Sequence, residues 1–284
     1  MKRALIQGLL SLAILSFAVW AEAQTSGQPA QQSPPAAGQP APQGKRPPQA
    51  KTDPELEAWK AGAAIKNDPA AAEKAAEDFA AKFPDSELRV LLYKNAMRLY
   101  QSANNAEKTE AMGRKVLALD GDDPEALVIV AEVIAERTRD SDLDKDQHYA
   151  EAITMAQKAT QTVDTDISVP AGTPQEKIDA YKALLRSNAY SILGTIEFKK
   201  ENFVGAQEKL QKSIDAYPSD PDPVVILRLA LALDKQQKYP EALKVATRAV
   251  EMTQDNTVVG TPARRERDRL QQLTGSAAPA PPKN

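Results

Sequence analysis

Residues 190–218 read YSILGTIEFKKENFVGAQEKLQKSIDAYP. Large apolar or small residues fall at Tyr190, Leu193, Gly194, Phe203, Ala206, Leu210, Ser213 and Ile214, with Pro218 closing the stretch. A shift of 36 positions brings the pattern back as Ile226, Leu229, Ala230, Tyr239, Ala242, Ala246, Ala249 and Val250. Two extra residues around Asp220–Pro223 account for the excess over a period of about 34. Spacings of three and four within each block are those of an amphipathic helix. Two such helices per period, each too short to bury its apolar face alone, predict stacked helix pairs. In such a stack the function resides in a surface rather than a reaction centre.

Punctuation along the chain supports this reading. Asp53-Pro54, Asp68-Pro69, Asp123-Pro124, Thr173-Pro174, Asp222-Pro223 and Thr261-Pro262 each set a capping side chain before proline. The side-chain oxygen can accept an orphan N–H, and proline fits the first helical turn. Thr173 to Glu176 and Asp144 to Gln147 read as capping boxes. The spacing predicts helices over 54–66, 69–83, 86–103, 105–120, 124–138, 144–162, 174–200, 203–216, 223–237, 240–254 and 262–273. That makes five antiparallel pairs and one extra helix.

The residues at 187–220 resemble the tetratricopeptide repeat (TPR). Tyr190, Leu193, Gly194, Phe203, Ala206, Leu210, Ser213 and Pro218 occupy its signature positions, with Glu197 as a departure. The unit at 223–256 follows it closely, and weaker units begin at 53, 90 and 124. The third needs about nine extra residues before Tyr149. The resemblance implies an all-α, TPR-like right-handed superhelical solenoid of about five helix pairs, with residues 262–273 as a C-terminal capping helix. The general look resembles exported bacterial repeat proteins of the cell envelope.

The resemblance also implies a binding groove on the inner face, lined by the first helix of each pair. Its facing positions map to Lys94, Arg98, Gln101, Glu125, Glu132 and Glu136 toward the N-terminal side. Toward the C-terminal side they map to Asn188, Ser191, Thr195, Phe198, Leu227 and Leu231. One TPR subclass grips a terminal carboxylate with Lys and Asn side chains. Here Lys94 fits, but Arg98, Ile129 and Asn188 stand where Asn, Asn and Lys would be needed, so that clamp is absent. The expected ligand is a protein or peptide segment, helical or extended.

The outer parts of the chain read differently. Lys2 and Arg3, an apolar run Ala4–Trp20 and the small-x-small triplet Ala21-Glu22-Ala23 predict a signal peptide over residues 1–23. An uncleaved anchor is the alternative. Residues 24–52 carry Pro29, Pro34, Pro35, Pro40, Pro42, Pro47 and Pro48 and no Leu, Ile, Val or Phe. Such a segment reads as a disordered spacer or a proline-rich ligand. The repeat domain is expected over 53–273 and a second disordered tail over 274–284.

Composition removes several function classes. The full chain of 284 residues has no cysteine, so it offers no disulfide, thiolate metal site or cysteine nucleophile. Its net charge is −3, and loss of Lys2, Arg3 and Glu22 would make it −4, against a nucleic-acid partner. Asp140, Asp142, Asp144 and Glu151 have the spacing of a calcium loop, but Lys145 stands where the turn requires glycine. The lone His148 has no Cys or second His to join it. The sequence therefore predicts no catalytic residue, metal or cofactor. It predicts an exported, periplasmic or secreted binding scaffold, with self-association as the structural alternative.

Overall fold

The computed structural model describes residues 45–170 and 172–275. The signal peptide over 1–23, most of the proline-rich segment (24–44) and the tail from 276 lie outside the described residues. Eleven α-helices and no strand occur among the described residues. They are α1 (Asp53–Ala63), α2 (Pro69–Lys82), α3 (Arg89–Ser102), α4 (Ala106–Leu119), α5 (Pro124–Arg137) and α6 (Lys145–Thr162). There follow α7 (Gln175–Lys199), α8 (Phe203–Ala216), α9 (Pro223–Lys235), α10 (Tyr239–Glu251) and α11 (Gly260–Gly275). None is long and apolar enough to cross a membrane.

Each helix packs on its sequence neighbour, which makes the molecule a solenoid of antiparallel pairs. First helices of successive pairs also touch, as α1 with α3, α5 with α7 and α7 with α9, and no two second helices pack comparably. The first helices therefore lie on the inner, tighter side of the stack. Second helices bury a strip of small residues: Ala72 and Ala76 in α2, Ala152, Ala156 and Ala159 in α6, and Ala242, Ala246 and Ala249 in α10. These let the two axes of a pair approach. In the fourth pair Gly194 does this, since a Cβ there would lie 2.7 Å from Leu210 Cγ. Helix α11 closes the last pair by burying Ala263 and Leu270 in the same cluster as Val225, Leu229 and Ala246.

Most helix starts form as the sequence indicates. The side chains of Asp68, Asp123 and Asp222 accept from the N–H groups of Ala71, Ala126 and Val224 at 3.0, 2.9 and 2.8 Å. Four expected caps differ. Thr52, not Asp53, caps α1. Helix α7 begins after Pro174 with no side-chain cap, and Thr173 donates its hydroxyl to Pro170 O at 2.7 Å, so the expected box does not form. Asp144 holds the cap position of α6 but pairs its carboxylate with His148 instead of a backbone N–H. Helix α11 begins at Gly260, ahead of Thr261, and the Thr257 hydroxyl accepts the Gly260 N–H at 2.9 Å.

The turns inside the second, fourth and fifth pairs share one conformation. Asn104, Glu201 and Gln237 adopt left-handed φ values of 54, 60 and 60°. A β-carbon makes that region unfavourable by about 1–2 kcal/mol, less for Asn. Glu201→Gly and Gln237→Gly should each therefore raise the thermal midpoint by about 2–4 °C, read by circular dichroism. Asn104→Gly should change it least.

Residues 45–52 depart from the expected disordered spacer. The Lys45 N–H donates to Ile167 O at 3.2 Å and its ammonium meets Asp120 at 2.6 Å. Arg46 forks onto both oxygens of Glu87 at 2.8 Å, and Gln49 N–H donates to the same carboxylate at 3.2 Å. Lys51 donates to Asp85 O at 2.7 Å. Absence of large apolar residues did not leave this stretch free, because its basic side chains and backbone N–H groups find acceptors on the repeats.

Candidate functional site: the inner face

The inner face has two halves of different chemistry. In the first half, Lys94 and Arg98 of α3 meet Glu125 of α5. Lys94 Nζ lies 2.7 Å from Asp123 and 2.9 Å from Glu125, and Arg98 Nη2 donates to Glu125 at 2.6 Å. Glu125 is 5 % exposed. Burial opposes its ionisation, but Arg98 and Lys94 outweigh that and hold its carboxyl well below the usual carboxylate range. The same two acids hold Lys94 charged against burial. Two cations and two anions make this a neutral cluster, with Arg98 at its solvent-exposed side.

The protein's own chain lies against part of this half. Segment 163–170 folds back on the first turns of α7, where Val163 and Ile167 pack with Leu185, Val169 and Tyr181. Lys182 donates to Asp164 O at 3.0 Å, and Arg186 pairs with Asp164 at 2.7 Å. The Tyr181 phenol faces the electrostatic field of Glu125, Arg98 and Lys94, and burial pushes its ionisation upward. Its hydroxyl has no hydrogen-bond partner among the described residues. Pro48 and Ser168 bound a cleft of about 40 Å³ against Leu91, Lys94 and Asp123, room for little more than water.

The second half, where α5, α7 and α9 adjoin, is unlike the first. Glu132 and Glu136 stand one turn apart on α5. Asn188, Ser191 and Thr195 follow one another along one face of α7. Arg228 of α9 donates to the Thr195 hydroxyl at 2.6 Å, which turns that face toward α9. Lys199 donates to Ala135 O and Thr138 O at 2.5 and 3.2 Å, closing the carboxyl end of α5. Asp222 is occupied as the cap of α9.

Glu132 and Glu136 make no ion pair or hydrogen bond among the described residues, and Asn188 Nδ2 is buried without an acceptor. The half-buried Glu132 carboxyl is pushed up to about 8. Burial is the main cause, and the charges of Glu136 and Asp222 add to it against the pull of Arg228. Burial also raises the Asp222 carboxyl.

The sequence-predicted residues thus divide. Lys94, Arg98 and Glu125 come together, joined by Asp123. Glu132 and Glu136 share the electrostatic field of Asp222, Arg228 and Lys199, Thr195 joins them through Arg228, and Asn188 and Ser191 lie along the same face of α7 as Thr195. Gln101 lies half-buried near the end of α3, and its carbonyl accepts from Asn104 N–H at 3.0 Å. Phe198 stacks edge-on against Phe203 with centroids 5.4 Å apart. Phe198, Leu227 and Leu231 belong to the apolar seam of the last pairs rather than to the polar face.

Among the solved structures similar to this chain are two helical proteins. One is TTC0263, a thermophilic TPR protein of Thermus thermophilus, with 14 % identity over 77 % of this chain and 100 % of that chain, at a TM-score of 0.42. The other is the assembly chaperone of RpL4 (Acl4, residues 1–338), with 14 % identity over 79 % of this chain and 97 % of that chain, at 0.40. No family model matches the sequence, and the curated proteins show no significant match.

The acidic residues of the α5–α6 loop take separate partners. Asp142 accepts the Arg139 N–H at 2.8 Å, Asp144 pairs with His148, and Glu151 pairs with Arg114 at 2.7 Å. The side chains point to separate partners, and no group of three metal-ligating residues converges among the described residues.

Arg228 carries a signal that the repeat alignment passed over. It is the lone charge in Val224–Leu233, an otherwise apolar helix. A single charge in such a run either meets an opposite charge or faces a groove.

Proposed function

We propose that this chain is a non-enzymatic interaction scaffold that holds a protein or peptide segment against the α5–α7–α9 half of its inner face. The observation that carries this reading is the contrast between the halves. Lys94, Arg98, Asp123 and Glu125 satisfy one another, and segments 45–48 and 163–170 lie against Lys94 and Asp123. Glu132, Glu136 and Asn188 are left unmatched on a rigid helical platform. Glu132 is half-buried and Glu136 exposed, so their carboxyls are open to a partner, and Asn188 Nδ2 on α7 is a buried donor without an acceptor. The N-terminal pattern of Lys2, Arg3, Ala4–Trp20 and Ala21-Glu22-Ala23 supports placing the scaffold outside the inner membrane, in the periplasm or cell envelope.

A photo-crosslinking residue tests the groove. Placed at Ser191, it should capture partners in intact cells, whereas the same residue at the exposed Gln211 of α8 should not. Equal capture at both sites, or none at Ser191, would remove the inner face as the binding surface.

A further inference from the structure

We infer that residues 45–50 form a cis-bound strap, and that the α3 end of the inner face beneath them is a receptor for an extended basic segment of another protein, which enters as the strap leaves. This end of the face lies apart from the α5–α7–α9 half, so the inference stands without the reading given to that half.

The strap has the features of a seated peptide ligand. It contains no helix, and Pro47-Pro48 hold it extended, which lowers the entropy lost on docking. The N–H groups of Lys45 and Gln49 donate to Ile167 O and Glu87, each at 3.2 Å. The side chains supply the selectivity. The Lys45 ammonium meets Asp120 at 2.6 Å, and Arg46 forks onto both oxygens of Glu87. Pro48 shares a cleft with Leu91 and Lys94, one turn apart on α3, and Ala50 packs on the cluster of Leu88 and Leu92. Lys94 belongs to the groove-facing positions of the repeat, so the strap lies where a bound segment would lie.

Its hold weakens toward the head. At the root Glu55, 3 % exposed, accepts the Lys51 N–H at 2.7 Å and the Ser86 hydroxyl as well. At the head the Arg46 and Glu87 side chains are 61 and 43 % exposed. Exposed pairs of this kind are weak, and salt screens them. The head stays seated because its root supplies it at a roughly millimolar effective concentration. Against a site of about 100 µM affinity, that leaves the receptor open about a tenth of the time. A foreign segment with two adjacent cations meets the same two carboxylates and competes directly. An acidic segment is repelled by Asp120 and Glu87.

A fluorescein-labelled peptide of the sequence 44–50 (GKRPPQA) tests the inference by fluorescence anisotropy with the full chain. Lys45→Glu/Arg46→Glu turns the head of the strap against Asp120 and Glu87, and this variant should bind the peptide roughly tenfold more tightly than the parent. Arg46→Ala, a milder opening, should give a smaller gain in the same direction. Both should keep the helical circular dichroism of the parent. Adding Glu87→Gln to the double variant should weaken the peptide severalfold, and so should raising the salt.

Equal affinity for the parent and both opened variants would mean that the strap does not close the site, and would overturn the inference. So would no binding to either opened variant, or binding indifferent to Glu87→Gln, which would place the peptide elsewhere. A concentration-dependent dimer of the parent in sedimentation velocity, lost in Arg46→Ala, would mean that the segment crosses to a second copy and would overturn the cis strap. Capture at Ser191 is independent of all these outcomes, so the two halves of the face are judged separately.

Discussion

Glu132→Gln should raise the thermal midpoint at pH 9 by roughly 5–10 °C and leave it nearly unchanged at pH 4. The sign follows from linkage. The folded-state carboxyl titrates near 8, above its reference value of 4.5. Between those values the native protein keeps a proton that the unfolded chain has released. Stability therefore falls as pH rises through this window and is flat above it. About 1.4 kcal/mol accompanies each unit, and partial solvent exposure reduces the sum to a few kcal/mol at alkaline pH. Gln has no charge to desolvate and no repulsion from Glu136 or Asp222, so the variant escapes the loss. Thermal unfolding followed at pH 4, 6.5 and 9 gives the profile. A midpoint gain that does not grow with pH would show that Glu132 ionises normally.

The acidic limb of that profile has the opposite origin. Burial notwithstanding, Arg98 and Lys94 depress the Glu125 carboxyl, and the Ser86 hydroxyl depresses Glu55. Their contributions are complete above the ordinary carboxylate range and disappear as pH falls through their lowered values. The parent protein should accordingly be most stable at about pH 5, between the two limbs.

Lys94→Met should lower the free energy of unfolding by about 3–5 kcal/mol, the usual consequence of leaving one side of a buried pair uncompensated. Lys94 Nζ is the partner of Asp123 Oδ2, while Oδ1 of the same carboxylate caps α5. Met fills much of the lysine volume, so the loss is electrostatic rather than a cavity. Adding Asp123→Asn keeps an oxygen for the cap and removes the unpaired charge, and it should recover more than half of the loss. Urea unfolding with an unchanged denaturant slope is the measurement. A single-variant loss below about 1 kcal/mol would mean that water reaches the cluster and screens it.

The helix pattern was legible because it rests on local rules. Asp68, Asp123 and Asp222 start helices where a capping oxygen precedes proline. The alanines of α2, α6 and α10 recur at the spacing a close helix pair requires. What escaped the reading depends on distant parts of the chain. Thr173 resembles a cap, but the loop before α7 turns its hydroxyl onto Pro170 O and sets Pro174 at the cap position. Lys45, Arg46 and Lys51 look like decoration on a proline-rich spacer until folding brings Asp120, Glu87 and Asp85 beside them. Repeat alignment assigned Glu125, Glu132, Glu136 and Asn188 alike to the groove and could not tell that Glu125, two turns before Glu132 on the same helix, is neutralised from α3. It could not tell either that Leu227 is buried in the apolar cluster of the last pairs, with Phe198 and Leu231 half-buried against it.

The bond from Lys45 to Ile167 has a further consequence. An array of stacked pairs can unravel from its end, because each member holds only its neighbours. Here the front of the array is fastened to a segment 122 positions further along. Opening the first two pairs therefore requires release of that clasp as well. The front half is bound to open as one cooperative block, and amide exchange along α1 to α4 should slow together rather than in a gradient from the end.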